Sequence, residues 1–178
     1  MSLRLVKAAF LDRDGVINHD HGYIGRPEDF ELIDGVPEAL RMLGDHGYSL
    51  IVVTNQSGIG RGYYGEDDYR LVTARMRETL AEHGITLAAV LHCPHPPGYG
   101  CDCRKPKPGM LLAGAAQIGA ALSTSVLFGD KPSDIAAGRE AGVGRCFLVG
   151  AIHGQAVGDT ERGTNLLACV RLLLANQN

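Results

Sequence analysis

Nothing in this chain of 178 residues approaches the roughly 18 consecutive apolar residues that a membrane-spanning helix requires. The first residues also lack the apolar core of a secretory leader. The expected compartment is therefore the cytoplasm, with no membrane partner. Basic charge is not in excess: 17 Lys and Arg face 20 Asp and Glu, a formal net charge of −3. A nucleic acid would meet no cationic footprint here, and nucleic acid is excluded as a partner. There is no internal repeat, low-complexity tract or long polar linker. The length suits one domain with one sizeable core, expected over residues 1–178, and a monomer is expected. Five cysteines cannot all pair, which points to reduced thiols or metal ligands rather than a disulfide framework. What is abundant is glycine, with 24 residues, and that predicts many tight loops, where sites tend to lie.

The hydrophobic pattern alternates between strand and helix. Strands are expected at residues 6–11, 49–55 (SLIVVTN), 85–93 (ITLAAVLHC), 124–130 (TSVLFGD) and 145–150 (RCFLVG). The second is nearly continuous in β-branched residues, as suits a parallel strand buried on both faces. Helices are expected at 35–48, 66–83, 108–120, 132–142 and 164–176, several with Pro near the start or Gly at the end. In the helix over 66–83 the apolar positions include Leu71, Ala74, Met76 and Leu80. This order implies an α/β fold, a Rossmann-like three-layer αβα sandwich around a mainly parallel sheet.

In open parallel sheets, ligands bind beyond the carboxyl ends of the strands. The first strand ends in Asp12-Arg13-Asp14-Gly15, the second in Thr54-Asn55-Gln56-Ser57, the fourth in Gly129-Asp130-Lys131. Taken singly, Asp12 could be a turn residue or cap, Thr54 a β-former closing its strand, and Asp130 the start of a helix. Together they deliver acids, a hydroxyl and a lysine to one edge.

The segments DRDG, VVTNQSG, CRKP and GDKPSD, in that order, resemble the haloacid dehalogenase superfamily over residues 6–150. The resemblance implies an aspartyl-phosphate mechanism. Asp12 is then the nucleophile and Asp14 the general acid and base. Thr54 donates to the transferring phosphoryl group, with Asn55 beside it, and Lys105 offsets phosphoryl charge. Asp12, the backbone carbonyl of Asp14, and Asp130 hold Mg²⁺. Lys107 reads as a solvated charge, and Asp134 as an outer partner of the metal or a ligand. The chemistry agrees, because a carboxylate cannot approach a phosphate dianion unless cations offset the repulsion.

The loop 92–104 carries Cys93, His95, Cys101 and Cys103. Two close pairs around a Pro/Gly-rich stretch suit structural Zn²⁺ with three thiolates and one imidazole. Buried thiols or a disulfide are the alternatives, and His92 rivals His95. Cys-x-His is the pattern of the similar proteins. Cys146 and Cys169 are expected in the core.

This loop together with TNQSGIGRG is similar to a subgroup of the superfamily that holds heptose 1,7-bisphosphate 7-phosphatases and histidinol-phosphate phosphatases. CRKPKPGML and a chain ending soon after the fifth strand look more like the heptose enzymes. The substrate implied is a small phosphorylated sugar of lipopolysaccharide-precursor synthesis, with a histidine-biosynthetic ester as the alternative. There is no room for a large cap. Arg61 and Arg104 are expected to fork onto a distal phosphate, Gln56 and Ser57 to bind sugar hydroxyls, and Lys131 to face substrate. A non-catalytic zinc-stabilised binding module would be expected to lack one of Asp12, Asp14, Lys105 or Asp130, and all four are present.

Overall fold

The run YSLIVVTN forms the longest strand and lies inside the sheet, its apolar side chains taken up by helices on both faces. In the computed structural model, which describes residues 6–150, 158 and 160–175, the elements follow in the expected alternation. They are β1 (Lys7–Leu11), α1 (Val36–Asp45), β2 (Tyr48–Asn55), α2 (Ser57–Gly60), α3 (Glu66–Ala81), β3 (Ala89–Cys93) and α4 (Gly109–Ile118). Then come β4 (Val126–Gly129), α5 (Pro132–Ala141), β5 (Arg145–Val149), β6 (Glu161–Gly163) and α6 (Leu166–Ala175). Among the described residues, six strands run parallel in the order β3-β2-β1-β4-β5-β6. Among the described residues there is no cap domain, and no helix is long and apolar enough to cross a membrane.

Alternation along β1 divides the core. Ala9 and Leu11 face a cluster with Leu40 and Leu43 of α1, Val72 and Met76 of α3, and Cys169 and Leu173 of α6. Ala8 and Phe10 face the other layer, with Leu111 of α4 and Ile135 of α5. Successive strands step outward from β1 to β3, and the chain then returns to β4 on the other side of β1. The strand order therefore reverses between β1 and β4, which is where a doubly wound sheet opens a crevice at its carboxyl edge.

Two local expectations are corrected. The buried stripe of α3 is Tyr69, Val72, Met76 and Leu80, whereas Leu71 and Ala74 are exposed. Strand β3 begins at Ala89, opposite Ile51, not at Ile85; Ile85 and Leu87 are buried without joining the ladder. The single turn α2 and the edge strand β6 had no periodic signal. β6 is docked by non-local contacts, with Glu161 accepting two hydrogen bonds from Arg145, at 2.9 and 2.5 Å. Residues 151–157 and 159, and Asn176 of the expected last helix, lie outside the described residues.

Candidate active site

The first strand delivers Asp12 into the crevice. Its backbone N–H donates to Phe128 O at 3.0 Å, carrying the β1–β4 pairing one residue past the strand. Its Oδ1 accepts from Arg13 N and from Lys105 Nζ, each at 2.9 Å. Lys105 is buried, and its three ammonium protons are all placed: on Asp12, on Val53 O at 2.8 Å, and on Asp134 Oδ1 at 2.6 Å. Asp134 accepts the Lys131 N–H with its other oxygen, at 2.9 Å, capping α5. Lys107, by contrast, is exposed and pairs with Asp102.

Asn55 does not face open solvent in the crevice with both amide atoms free. Its side chain donates to Lys105 O and accepts from Lys105 N, both at 3.1 Å, and so clamps the backbone of the lysine. Asn55 also lines the cavity described below.

Asp12, Asp130 and Asp134 bring one carboxylate oxygen each within 4.8 Å of one another. Asp130 Oδ1 is buried with no hydrogen-bond partner. Gly15, at φ +86°, lies so close that a Cβ there would collide with the Asp130 carboxylate. Burial pushes Asp12 up to about 8, with Lys105 opposing and the neighbouring acids adding to the rise. Burial raises Asp130 too. At Lys105 burial is outweighed by Asp12 and Asp134, so its ammonium is held firmly charged. The buried Lys105 ammonium and the half-exposed one of Lys131, 3.5 Å from Asp130, do not balance three acids. The deficit, the hard oxygen donors and the unpartnered Oδ1 suit a divalent cation of the Mg²⁺ type.

Asp14 accepts four hydrogen bonds. Oδ1 accepts from Arg13 Nε (2.9 Å) and Asn18 Nδ2 (3.0 Å), and Oδ2 from Arg13 Nη2 (3.1 Å) and Gln56 Nε2 (2.9 Å). Burial would raise its pKa, but the Arg13 guanidinium and these donors hold it below the usual carboxylate value. Gln56 spends its remaining capacity on Thr54 Oγ1 (2.8 Å), Arg13 and Tyr64. It is thus a buried organiser whose amide is fully engaged within the protein, at the edge of the cavity. Arg13, Asn18 and Tyr64 were missed from sequence. Only Arg13 carried a signal, its place between two acids at a strand end.

Above these groups opens a cavity of about 550 Å³. Its walls include Thr54, Ser57, Arg104 and Lys131 from the expected set, with Tyr23 and Tyr64 in addition. Arg61 is exposed and is not among the residues of these walls.

The loop after β3 gathers Cys93, His95, Cys101 and Cys103. Cys93 Sγ lies 3.6 Å from Cys101 Sγ and 3.6 Å from His95 Nδ1, and 3.1 Å from Cys103 Sγ. All five cysteines are free. A tetrahedron on Zn–S bonds of about 2.3 Å has edges of about 3.8 Å, close to most of these separations. Burial pushes Cys93 up to about 12; at Cys101 burial is outweighed by the Arg104 N–H and the neighbouring thiols, which bring it down to about 7. Without a cation three thiolates could not share this space. His92 turns away, stacking on Tyr69 with Nε2 3.1 Å from Glu66, so it is no rival for the cluster. The loop is tied to the catalytic edge by Gln56 N→Cys93 O (2.8 Å) and Arg104 Nη1→His95 O (3.0 Å). Cys169 is buried in one apolar layer, and Cys146, partly buried, packs against the other.

Comparison with known proteins agrees with this geometry. The family model for haloacid dehalogenase-like hydrolases matches residues 4–142. A D-glycero-alpha-D-manno-heptose-1,7-bisphosphate 7-phosphatase of Photorhabdus laumondii is 44% identical over 83% of this chain and 85% of its own. A D-glycero-beta-D-manno-heptose-1,7-bisphosphate 7-phosphatase of Escherichia coli K12 is 44% identical over 81% and 79%. The crystal structure of a D,D-heptose 1,7-bisphosphate phosphatase from B. bronchiseptica, complexed with magnesium and phosphate, superposes with a TM-score of 0.87 at 30% identity, covering 96% of this chain and 99% of that one. The chain belongs to the haloacid dehalogenase-like hydrolase family.

Proposed function

We propose that the protein is a Mg²⁺-dependent phosphatase that removes the 7-phosphate of a D-glycero-D-manno-heptose 1,7-bisphosphate, supplying a nucleotide-activated heptose route to lipopolysaccharide. The observation that carries the reading is the buried Asp12–Lys105–Asp134 cluster beside Asp130 at the base of a cavity with Arg104 and Lys131 in its wall. Relatives named for this activity, 42–47% identical, support the sugar.

Asp12, pinned by Oδ1, attacks phosphorus, and the phosphorus–O7 bond breaks as an aspartyl-phosphate forms. Asp14 gives its proton to the leaving alkoxide, then takes one from the water that attacks the aspartyl-phosphate. Its ionised resting form is the base of the second half-reaction. The approach of a phosphate dianion adds negative charge beside it and favours the protonated form the first half needs. Thr54 O–H donates to a phosphoryl oxygen, and the buried Lys105 ammonium, committed to Asp12, Val53 O and Asp134, offsets the phosphoryl charge through space. Asp12, Asp130 and the Asp14 carbonyl are the residues that would hold Mg²⁺, which when bound supplies positive charge against the phosphate. Cys93, His95, Cys101 and Cys103 would hold a structural Zn²⁺, leaving no open position for substrate. Lys131 and Arg104 meet the distal phosphate. The protein acts as a monomer.

The test is Mg²⁺-dependent phosphate release from the α and β anomers of heptose 1,7-bisphosphate and from histidinol phosphate, as kcat/KM. The expected result is a preference for a bisphosphate of at least ~10²-fold, about 2.7 kcal/mol, which lies within the range of hydrogen bonds to a charged group. The names of the relatives divide between anomers, so which anomer leads is read from the same assay. A preference for histidinol phosphate would overturn the sugar and keep the chemistry. Turnover persisting in a folded Asp12→Asn protein would overturn the mechanism.

A further inference from the structure

Gln56 stands at the junction of the two groups that the phosphatase reading assigns to the leaving oxygen and the phosphoryl oxygens. Its side chain is 2% exposed and makes four hydrogen bonds, one for each hydrogen of its amide and one for each lone pair of its oxygen. Nε2 donates to Asp14 Oδ2 at 2.9 Å and to Thr54 Oγ1 at 2.8 Å. Oε1 accepts from Tyr64 O–H at 2.5 Å and from Arg13 Nη2 at 3.3 Å. Two donors at the oxygen end leave the amide one orientation, with its NH₂ toward Asp14 and Thr54. Burial pushes the Tyr64 phenol up to about 12, so it stays a donor at any working pH.

Two consequences follow from hydrogen-bond polarity. Thr54 Oγ1 has one of its lone pairs taken by an N–H, and the amide nitrogen cannot accept from it. The Thr54 proton is therefore directed away from Gln56, toward the cavity whose wall Thr54 forms. Asp14, for its part, is held against rotation by a side chain just past the end of β2 as well as by Arg13, its neighbour in the chain. Tyr64 also lines the cavity, and its ring lies over Gly58, where a Cβ would strike it. A chain of contacts thus runs from the cavity wall through Tyr64 and Gln56 to both groups.

We propose that Gln56, locked by Tyr64 and Arg13, is a positioning residue that aims the Asp14 carboxyl at the leaving oxygen and the Thr54 hydroxyl at the phosphoryl group. The proposal rests on the phosphatase reading. It separates the two functions by chemistry: a sugar alkoxide needs a proton to leave, whereas p-nitrophenolate does not.

The test compares kcat/KM for heptose 1,7-bisphosphate and p-nitrophenyl phosphate in Gln56→Met and Tyr64→Phe, with Asp14→Asn and Asp12→Asn as references. This ratio reports steps up to aspartyl-phosphate formation and is blind to its hydrolysis. Gln56→Met is expected to lose about 10²-fold on the sugar phosphate, within the range of general acid–base catalysis, and at least tenfold less on p-nitrophenyl phosphate. Tyr64→Phe, which keeps the ring over Gly58, should show the same skew at about a tenfold loss. Equal losses on both substrates, or none, in folded Tyr64→Phe and Gln56→Met would overturn the proposal. Should Gln56→Met not fold, Tyr64→Phe alone decides. If Asp12→Asn retains activity on both substrates, the phosphatase reading fails first; if it abolishes both and Asp14→Asn is skewed while the other two are not, only the role of Gln56 fails.

Discussion

Lys105 and Lys107 are two residues apart in RKPKP, yet only one is buried on Asp12 and Asp134, and the other meets Asp102 in solvent. Lys105→Met should abolish phosphate release and Lys107→Met should change kcat/KM less than about twofold, because an exposed pair contributes little. Equal losses in the two variants would sink the assignment. Asp12 gives a signed pH effect. Its folded-state pKa lies above its ordinary 3.8, at about 8, so the native state favours the protonated form. Stability from this group is intact below 3.8 and is lost as pH rises toward 8. Asp14 is shifted the other way: its contribution is present above 3.8 and is lost only as pH falls through a lower value. With divalent metal chelated, the thermal midpoint of the parent protein should therefore decline between about pH 5 and 8, and that of Asp12→Asn should decline less. Parallel profiles would show that Asp12 is not the group responsible.

At the scale of elements, the loop from Cys93 to Cys103 leads straight into Arg104 and Lys105 and is tied to α2 by Gly60 N→Pro94 O at 2.9 Å. A cation there would fix the approach of Lys105 as well as the loop. Cys101→Ser should lower zinc content from about one per chain to well below one and reduce kcat/KM at least tenfold, with far-ultraviolet dichroism nearly unchanged, since structural zinc contributes folding energy locally. Unchanged activity in a zinc-free protein would refute the link. Most of the elements were readable because their cues are local: the β-branched run of β2, Pro37 in the first turn of α1, and Gly142 at φ +82° closing α5. α2 and β6 were not, because four and three residues cannot carry a period. β6 forms only where β5 offers an edge and Arg145 offers Glu161 a partner.

For the whole molecule, the sheet separates two apolar layers, and the site depends on their alignment through strand ends rather than on either layer alone. Leu43, fully buried between α1 and the sheet, can be cut back without touching the cavity. Leu43→Ala should cost about 3 kcal/mol in urea unfolding while leaving kcat/KM of the folded protein within about twofold. A large catalytic loss at small cost in stability would mean that this layer steers the site. The order of strands and helices, the acids at the ends of β1 and β4, the threonine of β2 and the Cys/His set were all determined by sequence, since each depends on residue type at short spacing. Tertiary structure alone decided that Asn55 clamps the Lys105 backbone, that Gln56 joins Asp14 to Thr54, that Arg61 is not among the residues lining the cavity, and that Arg13 and Tyr64 adjoin these groups. The physical reason is common to all of these. A polar side chain's role depends on which donors and acceptors burial leaves within about 3 Å, and those partners come from strands far apart in the chain.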